Sequence, residues 1–91
     1  MSFKMYEFEG SSMVWVCAKT KEQAIDIYCA YFGKEVWKEG LEIYGEKAVR
    51  EMDNGEKFTY YEDEQYPDED TIGNHIKKRC DSPDVFATSL Y

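Results

Sequence analysis

The sequence predicts an α+β fold, a mostly antiparallel sheet of four to five strands with two helices packed on one face. Three observations predict it. Segments rich in aromatic and β-branched residues flank short turn sequences, as in β-hairpins. A capping sequence opens an apolar stripe at helical spacing, and no repeat or linker divides the 91 residues. The expected order is β-β-α-β-β-α-β in one domain, residues 1–91, because this length has room for a single core.

The chain opens with a predicted β-hairpin. Residues 3–8 (FKMYEF) and 13–18 (MVWVCA) have strong β propensity, and residues 9–12 (EGSS) between them are typical of a turn. Alternate residues of the second strand point to opposite faces, and both sets are apolar. We therefore expect a central strand that is covered, at least in part, on each side.

A capped helix follows the hairpin. Residues 20–23 (TKEQ) match the capping box, in which the Thr20 hydroxyl accepts from the Gln23 amide and Gln23 reaches back to the Thr20 amide. Apolar residues then recur at helical spacing as far as Phe32, and Gly33 lies where a positive-φ cap is expected. This pattern predicts a helix over residues 21–32.

The middle of the chain predicts a second hairpin. Gly40 and Gly45 bracket the sequence LEIY, which we interpret as a strand over 41–44, while residues 46–52 fit either a helical turn or a strand. Asn54-Gly55 decides between them, since a type I′ turn needs positive φ at both central residues and this dipeptide is its strongest signal. We predict a hairpin of 48–53 with 56–61.

An acidic loop and two further elements complete the chain. Residues 62–70 (EDEQYPDED) carry six carboxylates, and Pro67 excludes a regular central strand there. A helix is predicted over about 70–80, capped by one of the acids at 68–70, since its acidic start and basic end suit the helix dipole. Residues 84–90 alternate in the manner of a final strand.

The net charge of −8 comes from one fifth of the molecule. Residues 51–70 hold nine acids and one base, whereas acids and bases balance in the rest. On a ribbon of at most about 33 Å this is about one charge per 4 Å, against one per 3.4 Å along one strand of B-DNA. The tyrosines within the segment are good contact residues. The predicted partner-binding residues are Glu51, Asp53, Glu56, Tyr61, Glu62, Asp63, Glu64, Tyr66, Asp68, Glu69 and Asp70.

The alternative interpretation of the same segment is a solvated acidic loop that only keeps the protein in solution. The excess of acids disfavours direct binding to nucleic acid or to an anionic membrane. No apolar run approaches the roughly 20 residues of a membrane span, and the N-terminus lacks the pattern of a secretory signal. We therefore expect a cytoplasmic protein.

The three cysteines, Cys17, Cys29 and Cys80, predict reduced thiols. An odd number at these spacings is a poor disulfide framework, and CxxC is absent. Catalytic signatures are also absent: the sequence has no GxSxG, HExxH, P-loop or GxGxxG. The lone histidine, His75, is expected at the surface, and the acidic clusters do not follow EF-hand spacing. We predict no catalytic residue, cofactor or metal.

The opening MYEFEG…VWVCAKTKEQAIDIYCAYFG, followed by an acidic second half and a hydrophobic C-terminal strand, resembles small acidic phage-encoded proteins, among them anti-CRISPR and other anti-defence proteins. The resemblance is one of size, composition and element order over the whole chain, and no functional residue carries over. It implies an inhibitor that occupies a basic, nucleic-acid-handling site on a host protein and that works in the host cytoplasm.

Two alternatives remain open. An immunity protein against a nuclease toxin would use the same electrostatics. A sponge for small molecules or nucleotides would use an aromatic pocket between helix and sheet, with Trp15 and Trp37, and the basic patch at 77–79 (KKR). A homodimer is possible, because a sheet covered on one side would leave an apolar face.

Overall fold

A computed structural model describes residues 3–10, 13–63 and 66–88, without the side chains of residues 61–63 and 66. Within these residues the helices are α1 (Lys21–Phe32), α2 (Lys34–Tyr44) and α3 (Ile72–Arg79), and a short 3-10 helix covers Gly45–Ala48. The strands in the described part of the chain are β1 (Lys4–Phe8), β2 (Val14–Ala18), β3 (Val49–Glu51), β4 (Lys57–Asp63), β5 (Tyr66–Thr71) and β6 (Asp84–Thr88).

Four of these strands form one antiparallel sheet in the order β3-β1-β2-β6, and β4 and β5 form a separate two-stranded sheet. The α+β class and the antiparallel sheet are thus confirmed. The predicted first hairpin is the pair β1–β2, in register from Lys4 opposite Ala18 to Phe8 opposite Val14. The final strand is also confirmed as far as it is described, since β6 pairs with β2; residues 89 and 90 lie outside the described residues.

The central strands β1 and β2 are buried on both faces. Strand alternation sends one set of their side chains toward α1 and α2 and the other set toward α3 and β4. The first cluster comprises Tyr6, Phe8, Val14, Val16, Ala18, Ala24, Tyr28 and Val49. The second comprises Met5, Cys17, Met52, Ile72 and Cys80. The structure therefore differs in detail from the prediction: the helices cover both faces of the sheet, because both faces of β2 are apolar.

Helix α1 has the predicted bounds and the predicted N-terminal cap. The Gln23 amide donates to the Thr20 hydroxyl at 3.1 Å, and the Gln23 side chain accepts from the Lys19 amide at 2.7 Å, one residue earlier than expected. Gly33 ends the helix at φ 97°, a conformation that residues with a Cβ rarely adopt.

The strand predicted over 41–44 is wrong, because residues 34–44 form α2. Trp37 decides the conformation by packing edge-on against Phe8, with ring centroids 5.6 Å apart, and against Tyr28 at 6.1 Å. Positive φ at Gly33 and Gly45 bounds the helix at both ends. A tertiary contact therefore overrides an ambiguous local pattern.

The second hairpin, 48–53 with 56–61, is also wrong. Strand β3 pairs with β1, Phe8 opposite Val49, whereas β4 pairs with β5. Neither Asn54 nor Gly55 has the positive φ of a type I′ turn; instead the Glu56 amide donates to the Asp53 carbonyl at 3.1 Å. Pairing with the edge of β1 buries Val49, and that burial outweighs the local turn signal.

The described part of residues 62–70 forms strand rather than the predicted loop, since residues 62 and 63 end β4 and residues 66–70 belong to β5. Strand β5 lies in a two-stranded ribbon in which Pro67 pairs opposite Tyr61, and a ribbon edge tolerates the missing amide of a proline. Helix α3 begins at Ile72, with Thr71 rather than an acid at 68–70 as its N-cap; the Thr71 hydroxyl accepts from the Asn74 amide at 3.3 Å.

The prediction of three reduced thiols is wrong, since a disulfide joins Cys17 to Cys80. The two residues are 63 positions apart, and only the packing of α3 beneath β2 brings them together. Cys29 alone is free. Among the described residues, the longest helix has 12 residues, too few to cross a membrane.

Candidate functional site

The predicted partner-binding residues are spread over three elements. Glu51 ends β3, Asp53 and Glu56 lie in the turn before β4, and the remaining described members follow in the β4–β5 ribbon. Tyr61, Glu62 and Asp63 belong to β4 and Tyr66 to β5, where only their backbone is described, and Glu64 lies outside the described residues. The side chains that can be placed are those of Glu51, Asp53, Glu56, Asp68, Glu69 and Asp70.

Glu51 and Glu56, which lie next to the main sheet, form ion pairs with cationic side chains of that sheet. Glu51 pairs with Lys4 at 3.3 Å. Both carboxylate oxygens of Glu56 accept from Arg50, at 3.0 and 3.1 Å, and Arg50 also reaches Glu7 at 3.2 Å. The Arg50 guanidinium and the Asp53 amide lower the pKa of Glu56. This arrangement fixes the turn that leads from the main sheet into the ribbon.

The end of α3 binds the carboxylates of β5. Lys78 contacts Asp68 at 2.8 Å and Asp70 at 3.1 Å, and Arg79 contacts Asp68 at 3.0 Å. Strand register explains the pairing, because Tyr60 lies opposite Asp68 and paired residues project on the same face. That face packs toward α3, where the Arg79 guanidinium lies 4.2 Å from the Tyr60 ring centre.

Asp70 also anchors the start of α3. Its carboxylate accepts from the Asn74 side chain at 2.8 Å and from the Thr71 amide at 2.8 Å. These two hydrogen bonds, together with Lys78, lower the pKa of Asp70 to about 2. The same carboxylate therefore ties the acidic strand to the helix that follows it.

Internal pairing halves the local charge. Residues 51–70 have a net charge of −8, which becomes −4 once the four cations of the described ion pairs, Lys4, Arg50, Lys78 and Arg79, are counted with them. Among the carboxylates of residues 51–70 whose side chains are described, Asp53 and Glu69 have no ion pair, and both are exposed. The predicted continuous acidic face is thus divided into structural carboxylates and outward-facing ones.

His75 is a correction to the sequence analysis, which placed it at the surface. Its side chain is fully buried, and Nε2 lies 2.8 Å from the Phe58 carbonyl oxygen. Its ring is enclosed by Phe58, Tyr60 and Phe86. Helical spacing from Ile72 to His75 was the available signal, and it indicates a residue that joins α3 to β4.

The aromatic pocket considered for a sponge does not form from its two tryptophans. Trp37 packs with the α1 side of the sheet and Trp15 with the α3 side, where its Nε1 donates to Glu7 at 3.0 Å. A cavity of about 330 Å³ adjoins Lys78 and Arg79, but both cations are engaged by aspartates. Over the described residues, no three His, Cys, Asp or Glu side chains are grouped to hold a metal.

The exposed side of α2 is a feature that the sequence analysis missed. Val36, Leu41, Ile43 and Tyr44 are 44%, 41%, 73% and 37% exposed, and none of the residues in this helix is fully buried. The signal was present as apolar residues at helical spacing, but the two glycines led to the prediction of a strand. Of the four, Val36 and Ile43 share one side of the helix, and exposed apolar side chains on one side are typical of a contact surface.

Replacing Asp70 by asparagine should flatten the acid limb of the stability profile. Since folding lowers the pKa of Asp70 to about 2, its carboxylate stabilises the fold above about pH 4 and loses that effect as the pH falls toward 2. Denaturation at a series of pH values should show the gap between wild type and Asp70→Asn closing through this window. Asp81→Asn, at an exposed position, is the control, and a gap that stays constant would contradict the assignment.

No protein-family model, curated protein or solved structure matches this chain.

Proposed function

We propose that this protein is a non-enzymatic inhibitor that binds a basic surface on a nucleic-acid-handling protein. The observation that carries the proposal is the concentration of the whole charge excess in residues 51–70. Much of that segment forms the β4–β5 ribbon, which shares no strand pairing with the main sheet. Local negative potential of this kind raises the rate of encounter with a cationic partner.

The ion pairs define which part of the segment is available to a partner. Glu51, Glu56, Asp68 and Asp70 hold the turn and the ribbon in place. Exposed Glu69 lies on the opposite face of β5 from Asp68 and Asp70, because successive side chains of a strand alternate. The contact surface that we propose is therefore centred on Glu69.

Charge density favours a complementary contact over close imitation of a nucleic acid strand. Residues 57–71 hold six acids and one base, so with Lys78 and Arg79 counted their net charge is −3, or about one charge per 8 Å on a ribbon of about 23 Å, the length of the seven residues of β4. One strand of B-DNA carries about one per 3.4 Å. The proposal thus rests on attraction to a basic site and not on matching of phosphate spacing.

A capture and competition experiment tests this function. The protein is used to capture partners from host lysate, and each captured nucleic-acid-binding protein is then challenged with its own nucleic acid. We expect nucleic acid to displace the inhibitor, and Glu69→Lys to weaken capture more than tenfold at low salt. Asp81→Lys makes the same charge change at an exposed site outside the segment and should have a much smaller effect.

Two results would count against the proposal. Simultaneous binding of nucleic acid and inhibitor would show that they use different sites, and equal effects of Glu69→Lys and Asp81→Lys would show that the segment has no special role. We propose that the protein acts in the cytosol, where disulfides are rare. Capture should therefore also persist in the presence of a thiol reductant.

A further inference from the structure

Helix α2 lies against the molecule by one side only. Trp37 packs on Phe8 and Tyr28, and Gly40 faces the backbone of Glu9, whose carbonyl oxygen would lie 3.6 Å from a Cβ at that glycine. These two contacts orient the helix, and they leave the rows of side chains on either side of them open to solvent.

One of the open rows is apolar. Val36 and Ile43 are two helical turns apart on the same side of the helix, and they are 44% and 73% exposed. Leu41 and Tyr44 lie in the row of Trp37, on the other side of Gly40 from Val36 and Ile43, and do not extend this surface. Val36 and Ile43 form an apolar strip on the open side of the helix, which we call the α2 face.

A row of glutamates borders the α2 face. Glu35, Glu39 and Glu42 recur at the spacing i, i+4, i+7, next to Val36 and Ile43 and away from Trp37. All three are exposed, and no ion pair joins any of them to another part of the chain that the structure describes. Their charges are therefore open to a cation from outside the molecule.

We propose that the α2 face binds a basic amphipathic helix of a partner protein, with the partner's apolar side chains on Val36 and Ile43 and its lysines or arginines beside the glutamate row. An amphipathic helix that places its apolar side on such a surface is a recurrent mode of peptide recognition. This inference rests on the proposed function, in that the partner is basic, but it adds a second contact surface distinct from the β4–β5 ribbon.

Charge argues for this occupant over a second copy of the chain. A two-fold antiparallel pairing of α2 through Val36 and Ile43 places the glutamate row of one helix against the same row of the other. Like charges at such spacing are destabilising, whereas a basic helix makes opposite-charge contacts along the whole row. The net charge of −8 favours the same choice.

The test uses a probe peptide of about 18 residues, or five helical turns, built from leucine and lysine with the leucines on one face. Binding is measured by titration calorimetry on the full chain. Two control peptides are a scrambled sequence of the same composition, which lacks the apolar face, and a version with glutamate in place of lysine. We expect the amphipathic basic peptide to bind at least tenfold more tightly than either control.

Protein variants place the binding on α2. Val36→Ser combined with Ile43→Ser should weaken binding of the peptide at least tenfold, with thermal unfolding confirming that the variant is folded. Glu35→Gln, Glu39→Gln and Glu42→Gln together should weaken binding and reduce its dependence on salt. Asp81→Lys, a charge reversal at an exposed position outside both proposed surfaces, should leave the affinity of the peptide within about twofold, the scale expected of a distant charge.

Specific outcomes would overturn the inference. Equal affinity for the scrambled peptide, or unchanged affinity of the Val36→Ser/Ile43→Ser variant, would show that the α2 face is not the site. Light scattering that finds a wild-type dimer and a monomeric Val36→Ser/Ile43→Ser variant would assign the face to a second copy. Each of these results leaves the proposed function standing, because that function is tested separately, by competition with nucleic acid and by the effect of Glu69→Lys on capture.

Discussion

Replacing Phe8 by alanine will lower the free energy of unfolding by about 3–5 kcal/mol. The Phe8 side chain is fully buried and stacks on Tyr28, with ring centroids 4.4 Å apart and planes within 5°. It also meets the edge of Trp37 at 5.6 Å, so that one ring holds both α1 and α2 on the sheet. Small domains have a total stability of about 5–15 kcal/mol, and equilibrium denaturation in urea measures the loss directly.

The matched control is Ile43→Ala, a similar truncation at a position that is 73% exposed. Surface substitutions of this kind change stability by about 0.5 kcal/mol or less. Phe8→Leu should fall between the two, since it keeps part of the apolar volume but loses the ring stacking. A cost for Phe8→Ala as small as that for Ile43→Ala would contradict the packing of α1 and α2 against β1.

The elements that the sequence predicts well are those with strong local signals. Thr20 and Gly33 bound α1 at its two ends, and the apolar residues at every position of β2 indicate a strand that is covered on both faces. These signals arise from hydrogen bonds and sterics within a few residues. They therefore need no knowledge of the rest of the molecule.

The elements that the sequence mispredicts are decided by distant contacts. Asn54-Gly55 is a strong hairpin signal, but pairing of β3 with the edge of β1 buries Val49 and sends β4 to a separate ribbon. Gly40 and Gly45 indicated a strand, but Trp37 gains more by packing on Phe8 and Tyr28. In both places long-range burial outweighs a local preference of about 1 kcal/mol or less.

The sequence shows where the acidic segment lies in the chain, but not which of its carboxylates form ion pairs within the protein. Whether a carboxylate faces a partner or the protein's own helix depends on strand register, and a shift of one residue reverses it. The observed register puts Asp68 and Asp70 beside Lys78 and leaves Glu69 outside. The sequence thus predicts how much charge is present but not how much of it is already paired.

Removing the disulfide by the double substitution Cys17→Ala and Cys80→Ala will lower the free energy of unfolding by about 4 kcal/mol. The two cysteines are 63 residues apart, and the entropy of the unfolded chain that such a loop restrains has about this value. Both cysteines are buried at the interface of β2 and α3. Urea denaturation of the oxidised wild type and of the double variant gives the difference.

Counting the reactive thiols tests the disulfide independently of the denaturation curves. In unreduced, unfolded protein one thiol per chain should react, that of Cys29, which is the free cysteine of the structure. A thiol reductant should destabilise the wild type by a similar amount and should leave the Cys17→Ala/Cys80→Ala variant unchanged, because no bond remains to be reduced. Cys29→Ala is the matched control and should keep its sensitivity to the reductant. Three reactive thiols per chain would contradict the crosslink and would restore the expectation of reduced cysteines.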